Sequence, residues 1–252
     1  MSMEEKQNSQ TFQDFSQSTF KPKTIEEVSA VIKECYKKNI PLEIVGLKSK
    51  NSIGRNFQAE KTIEMSDYSG VIEYQPEELY IKVKAGTSLK EIKFELDKNN
   101  QQLAFEPVDF GLLFSGKKNE GTIGGVVSCN FSGSRRFKVG SARDHILGFQ
   151  GVNGKGEIIK SGGTVVKNVT GYDLSKIIAG SYGTLVVLTE ISIKVLPKPT
   201  SNKTIVIENP HLLKALEYLN LALSSSSDPS GGAFYPEYFK NYFTFNDLTT
   251  QG

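Results

Sequence analysis

A chain of 252 residues with 30 Lys and Arg against 28 Asp and Glu has a formal net charge of +2, too weak a field to argue for nucleic acid or an anionic membrane. Its 38% hydrophobic and 10% aromatic content supplies a core for one large domain or two modest ones. Neither a membrane-length apolar run nor a secretion signal is present, and Cys35 and Cys129 lack CxxC spacing, which predicts a cytoplasmic chain with no disulfide and no zinc site.

Residues 1 to 20 mix Gln, Ser and acidic residues with isolated Phe12, Phe15 and Phe20, a composition expected to form a loose arm. Thr24-Ile25-Glu26-Glu27 reads as a capping box. Behind it Ile25, Val28, Val31, Ile32 and Cys35 recur at helical spacing, so a helix should end near Asn39. Pro41 leads into the apolar strand Leu42-Glu43-Ile44-Val45. That strand breaks at Gly46 into the polar turn Leu47-Lys48-Ser49-Lys50-Asn51-Ser52, with Gly54 and Arg55 beyond. Such a turn can aim successive backbone N–H groups at an anion, with Lys48 or Lys50 adding charge. Taken alone, it reads more simply as an ordinary surface turn.

Strands are predicted at 62–65, 71–74 and 79–85, the last with Leu79, Ile81, Val83 and Ala85 on one face. Ser88-Leu89-Lys90-Glu91 forms a second capping box ahead of Leu89, Ile92 and Leu96. This mixture fits an α+β domain better than a strictly alternating parallel sheet. Residues 111–118 resemble a P-loop superficially, but Lys118 stands where Ser or Thr must ligate magnesium and no strand feeds the loop. G-x-G-x-x-G occurs nowhere, so triphosphate hydrolysis and a Rossmann site are both rejected.

The stretch from Gly121 to Glu190 is dense in glycines beside apolar runs, the pattern of a backbone that must pass close to a flat or charged ligand. Residues 122–131 predict a short helix whose N–H groups face the loop, a geometry suited to a pyrophosphate. Residues 146–152 and 157–160 flank Asn153-Gly154-Lys155-Gly156 as a β-hairpin. A brief helix over 173–179 precedes a long apolar strand over 184–196, ended by Pro197 and Pro199. Beyond that boundary come a strand at 204–207, a helix near 211–223, a polar run, and strand-like 233–235 and 242–245. So short a part is near the lower limit of an independent core and reads as the start of a second domain.

In this order, Gly121-Thr122-Ile123-Gly124-Gly125, Ser132-Gly133-Ser134-Arg135-Arg136, Ala142-Arg143-Asp144-His145, Lys167-Asn168-Val169-Thr170-Gly171-Tyr172-Asp173-Leu174 and Gly180-Ser181-Tyr182-Gly183-Thr184-Leu185 form a specific combination. It resembles the FAD-binding domain of the vanillyl-alcohol oxidase and para-cresol methylhydroxylase (PCMH) family, and within it the FAD-binding subunits of bacterial glycolate oxidase. The resemblance implies a PCMH-type α+β fold: two α+β subdomains clasping FAD over residues 21–199, then the start of an incomplete α+β cap domain over 200–252.

It also implies roles. Gly46, Leu47, Lys48, Ser49, Lys50, Asn51 and Ser52 would cradle the pyrophosphate through backbone N–H groups, with Pro107 also against the cofactor. Gly121, Thr122, Gly124, Gly125 and Ser128 would approach from the other side. Ser132, Gly133, Gly140, Arg143 and Asp144 would lie along it, and Gly183, Thr184 and Ile191 would meet the adenine end or the ribityl chain. Covalent members often place His in the Gly46 loop; none stands there, which implies dissociable, non-covalent FAD. Family subunits continue well past residue 252 into a cap that supplies a substrate-binding arginine and a general base, so no catalytic residue is assigned.

The implied function is that of an FAD-binding subunit in a complex oxidising glycolate, a small 2-hydroxy acid, to glyoxylate. Electrons would leave to a partner, the companions being a second flavin subunit and an iron–sulfur subunit that hold the complex peripherally at the inner face of the plasma membrane. Two alternatives stand beside it: a non-catalytic FAD-binding relay or scaffold, and another flavin oxidoreductase of the same fold. At single positions, His145 reads as a structural histidine. Arg135 and Arg136 read equally as phosphate or partner contacts and as a solvated pair, and Asp173 as a helix cap.

Overall fold

The computed structural model describes residues 15–54, 58–163, 173–208 and 211–238, so Arg55, the 167–172 motif and the strand expected at 242–245 lie outside the described residues. The chain divides into two compact units, Met1–Pro199 and Thr200–Gly252. Helix α1, Ile25–Lys38, forms where the helical spacing predicts, with Val28, Val31, Ile32 and Cys35 buried. Thr24 Oγ1 accepts the Glu27 N–H at 3.2 Å, but Glu27 turns outward to accept the Lys23 N–H at 2.7 Å instead of closing the box on Thr24. Asn39, at φ 54, ends the helix with its N–H on the Cys35 and Tyr36 carbonyls.

The buried face of α1 shares a core with a small parallel sheet ordered β1 (Thr19–Phe20), β3 (Lys61–Glu64), β2 (Leu42–Val45). Thr19 and Phe20 were expected in a loose arm; they pair with Thr62 and Ile63, and Phe20 is 1% exposed. One aromatic ring with a strand edge to lie on buries enough surface to order a polar neighbourhood.

A second core fills a five-stranded antiparallel sheet ordered β4 (Val71–Gln75), β5 (Tyr80–Lys84), β9 (Val186–Lys194), β7 (Ile146–Asn153), β8 (Ile158–Gly162). Helix α2, Leu89–Asp97, is capped by Ser88 Oγ on the Glu91 N–H at 3.1 Å and adds Leu89, Ile92 and Leu96 to that core. The short strands β6 (Gln101–Gln102) and β10 (Leu196–Pro197) pair beside it. Strand β9 is buried almost continuously because both its faces are covered: Val187 points into the first core, Val186 and Leu188 into the second. Thr189 is an extra residue in the β9–β7 pairing, and it moves the inward set from Val186 and Leu188 to Ile191 and Ile193.

The connections carry short helices: α3 (Phe110–Ser115), α4 (Ile123–Cys129), α5 (Arg136–Val139), α6 (Ala142–His145) and α7 (Leu174–Ile178). The stretch that mimics a P-loop is therefore itself helical through Ser115, ended by Gly116 at φ 66. At α7, Asp173 holds the N-cap position, yet its carboxylate accepts the Ser175 hydroxyl rather than a backbone N–H. The fold is α+β.

In the unit from residue 200, helix α8 spans Leu212–Leu223 and buries Ala215. The strands expected at 204–207 and 233–235 do not form; Ile205 is 88% exposed. Apolar alternation makes a strand only where another strand accepts its backbone bonds, and the described residues of this unit offer none.

Candidate cofactor site

Two loops distant in sequence meet. The turn after β2 and the glycine turn before α4 are stitched by Asn119: its Nδ2 donates to the Leu47 carbonyl at 2.7 Å and its Oδ1 accepts the Gly121 N–H at 3.1 Å. Gly46 backs onto Thr122, where a Cβ would overlap Oγ1 and stand 2.9 Å from Cγ2. Gly121, at φ +84, faces Ser49 and Lys50, and a Cβ there would overlap Ser49 Oγ and stand 2.7 Å from Lys50 Nζ. Both approaches require glycine. Among the described residues, the backbone N–H groups of Leu47, Lys48, Ser49, Lys50, Asn51 and Ser52 have no acceptor. Lys48, at φ 57, curls this run of donors, and a curled run of free N–H groups is suited to an anion.

The charges divide the two lysines. Lys48 turns away, with its Nζ 3.9 Å from Glu64 Oε2 and its side chain 53% exposed. Lys50 turns inward, its Nζ 3.0 Å from Ser49 Oγ and 5.8 Å from the Phe110 ring centre. Burial pushes the Lys50 ammonium below the ordinary lysine range, offset in part by Cys129 and Asp109. The Cys129 thiol is pushed up by burial and pulled back by Lys50. Burial also desolvates the Asp109 carboxylate, but the backbone N–H groups of Leu112, Asn119 and Gly111 together hold it below its usual range. One of its oxygens, Oδ2, is buried without a partner.

Helix α4 departs from expectation. Its first-turn N–H groups were expected to face the loop, but Ile123 donates to the Thr87 carbonyl at 3.0 Å and Gly124 to the Ala85 carbonyl at 2.8 Å. Gly125 donates to Thr122 Oγ1 at 3.3 Å. The helix start is docked on the turn between β5 and α2, through a bridge of Ser88 with Thr122, so tertiary acceptors take what a free helix end would offer a ligand. Gly124 accordingly serves packing, since a Cβ there would meet the Ala85 carbonyl oxygen at 2.8 Å. Gly125 faces Lys50, its nearest neighbours Thr122 Oγ1 at 3.4 Å and Lys50 Nζ at 3.9 Å from a Cβ position.

The remaining candidates arrange themselves around the far end of α4. The Ser128 carbonyl accepts the Tyr182 N–H at 2.9 Å, bringing Gly183, at φ +76, beside Ile44. Gly183 and Thr184 also line a cavity of about 410 Å³ with Ile32, Ile44, Leu185 and Val187. That cavity includes no residue of the 46–52 or 121–125 loops. Ser132 Oγ accepts the Ala142 N–H at 2.9 Å and Asn130 Oδ1 accepts the Arg143 N–H at 2.9 Å, so these loops tie to one another while the Arg143 side chain stays exposed. Gly133 packs on Glu106, beside buried Pro107.

Several candidates have structural roles in this arrangement. Asp144 Oδ2 accepts the Ser141 N–H at 2.7 Å and hydroxyl at 2.8 Å, bonds that hold its carboxyl below the usual range and close the cap of α6. Gly140 packs against that carboxylate. The Ile191 side chain is 0% exposed at the centre of β9. Arg135 leans on Glu106, its backbone N–H 3.2 Å from Oε2 and its Nε buried without a hydrogen bond. His145 is buried with Nδ1 3.0 Å from the Ser141 carbonyl and its ring on Phe105; burial pushes its pKa down. Sequence reasoning passed over Asn119 and Asp109. An Asn two residues before a positive-φ Gly and an Asp three before Leu112 were the available signals; Cys129 carried none.

Residues 16–162 match the family model described as an FAD binding domain. The chain is 40% identical over 189 residues to glycolate oxidase subunit GlcE of Escherichia coli, covering 75% of this chain and 49% of that protein. It is 33% identical over 192 residues to a D-lactate dehydrogenase of Anaerostipes hadrus, covering 74% and 38% respectively. Among solved structures, an alkyldihydroxyacetonephosphate synthase shares the fold at TM-score 0.58 and 23% identity, over 73% of this chain and 32% of that one. The chain thus spans half or less of the length of these curated relatives. The residues present fit the group that the family model names, for the N–H donors of the 47–52 turn, unpaired among the described residues, the inward Lys50 and the side-chain-free Gly125 beside that ammonium all suit a dinucleotide. The chain belongs to the family of FAD-binding domains, and FAD is its cofactor.

Proposed function

We propose that this chain is the FAD-binding part of a flavoprotein oxidoreductase acting on a 2-hydroxy acid, with glycolate the foremost substrate. The observation that carries the reading is the run of N–H donors on the 47–52 turn, unpaired among the described residues and set beside Gly121 and Gly125, in a chain 40% identical to a glycolate oxidase subunit. The D-lactate dehydrogenase relative points to the same substrate class, since lactate and glycolate differ by one methyl group. Bound FAD supplies a two-electron acceptor for the hydride of the substrate's α-carbon. The protein's own part is to bind and orient. The 47–52 turn and Lys50 hold the diphosphate, Gly121, Thr122 and Gly125 admit it, and Ser128, Gly183 and Thr184 bound the far end. With no histidine in the 46–52 turn, FAD binds non-covalently and exchanges. Electrons pass to a second flavin subunit and an iron–sulfur subunit, which hold the assembly at the inner face of the plasma membrane. No described helix of this chain is long and apolar enough to cross a membrane.

One observation favours a second reading. Among the described residues of the first unit, His145 is buried and locked on a backbone carbonyl. A non-catalytic FAD-binding relay meets that fact. Purified protein loaded with FAD separates the two: anaerobic bleaching of the flavin band by glycolate or D-lactate, alone or with the companion subunits, is expected for the oxidase. Bleaching by dithionite but by no 2-hydroxy acid in any combination leaves the relay.

A further inference from the structure

The stretch that mimics a P-loop has no part in the cofactor site, and its outer surface calls for another explanation. Residues 112–118, Leu-Leu-Phe-Ser-Gly-Lys-Lys, are exposed without a break along α3 and the turn that follows it. Leu112, Leu113 and Phe114 stand 58%, 67% and 47% exposed within one helical turn. The fold holds this crown outward. At its neck Asp109 Oδ1 accepts the Leu112 N–H at 2.9 Å and the Asn119 N–H at 3.1 Å, and the Gly111 N–H donates to the Asn119 carbonyl at 3.1 Å. Beneath it the Phe114 ring stacks on Phe110 with centres 5.7 Å apart, and Phe110 lies 4.4 Å from Phe131. A contiguous apolar patch kept exposed by the fold marks an interaction surface. The rim of the crown is cationic. The Lys117 and Lys118 ammonium groups make no hydrogen bond or ion pair among the described residues. The acidic groups at either end are committed elsewhere, Asp109 to the neck and Glu120 to Lys93 at 2.8 Å. Lysine is depleted where proteins meet proteins. A bilayer, by contrast, takes large apolar side chains among its acyl chains and the lysines beside them against anionic headgroups.

We propose that the 112–118 crown is a lipid contact by which this chain attaches directly and reversibly to a bilayer with anionic headgroups. Leu112, Leu113 and Phe114 enter the headgroup boundary while Lys117 and Lys118 remain at its surface. The net charge of +2 conceals the site, because attraction to a charged surface is local and fades within a Debye length. The attachment goes beyond the proposed function, in which companion subunits hold the assembly at the membrane, and it does not rest on the flavin reading.

The test sediments the full chain with phosphatidylcholine vesicles made with and without phosphatidylglycerol. The parent binds the anionic vesicles and is released by high salt. Leu113→Ser combined with Phe114→Ser lowers that affinity by about tenfold or more. Lys117→Gln and Lys118→Gln each lower it by about fivefold on anionic vesicles and leave neutral ones unaffected. Leu221→Ser, on the exposed apolar helix α8, stays within about twofold of the parent, which separates the crown from general stickiness. All these side chains are exposed, so the variants melt with the parent. The chain has no tryptophan, so Phe114→Trp gives a single reporter whose emission shifts to the blue when anionic vesicles are added. Failure of the parent to sediment, an unshifted Trp emission, or equal losses in Leu221→Ser and the crown variants overturn the proposal. Crown-dependent capture of the companion subunits by a parent that leaves vesicles unbound also overturns it, and assigns the crown to a protein partner. Vesicle binding through the crown by a chain that takes up no FAD sustains it and sinks only the flavin reading.

Discussion

Replacing Gly121 by Ala separates two effects that glycine serves at once, provided Gly116→Ala is measured beside it. Both glycines have positive φ, +84 and +66, where an L side chain costs about 1–2 kcal/mol. Both variants should lose that much in urea unfolding. At Gly116 a Cβ meets nothing within 4 Å, so the effect ends there. At Gly121 the Cβ also overlaps Ser49 Oγ and stands 2.7 Å from Lys50 Nζ. Both are the far ends of flexible side chains, so they move aside at little further expense in stability, but they leave their places beside the N–H donors of the 47–52 turn. Losing one charge-assisted hydrogen bond to the ligand costs about 1.5–3 kcal/mol, or about 10- to 150-fold in FAD affinity. Flavin fluorescence titration of the two variants reads the difference directly. Equal FAD affinities for Gly121→Ala and Gly116→Ala would refute the reasoning, as would a loss of stability several kcal/mol greater at Gly121, which would mean that backbone rather than side chains had to yield.

Two further outcomes follow from particular contacts. Gly46→Ala drives a Cβ into Thr122, which is 4% exposed and caps α4; the overpacking should cost about 1–3 kcal/mol. Thr122→Ala alone costs about 1 kcal/mol through the lost cap, and the double variant should cost less than the sum by about 0.5 kcal/mol or more; strict additivity in a denaturation cycle rules out the contact. Burial lowers the His145 pKa in the folded state, so the unfolded chain binds the proton first. Stability is then whole above about pH 6.5 and falls on acidification toward the folded-state value. In His145→Gln that slope should flatten, and an unchanged slope assigns the pH dependence elsewhere.

Much of this protein is written locally. The spacing of Val28, Val31, Ile32 and Cys35, the caps at Thr24 and Ser88, and the turn at Asn153-Gly154-Lys155-Gly156 specify α1, α2 and the β7–β8 hairpin because each depends on neighbours a few residues away. Of the glycine motifs, Gly121–Gly125 lies beside the 46–52 turn. What the local pattern misjudged were features whose partners lie far along the chain. Residues 204–207 alternate like a strand but have no strand to pair with, and Thr19–Phe20 sit in a polar arm yet find β3. The α4 N–H groups, free in an isolated helix, are taken by Ala85 and Thr87. Lys48 and Lys50 are indistinguishable as letters; tertiary packing alone decides that one meets water and Glu64 while the other is withdrawn against two glycines. Periodicity, capping and turn chemistry act over a few residues and can be read along the chain, whereas burial and hydrogen-bond partnership are settled by whichever distant segment arrives.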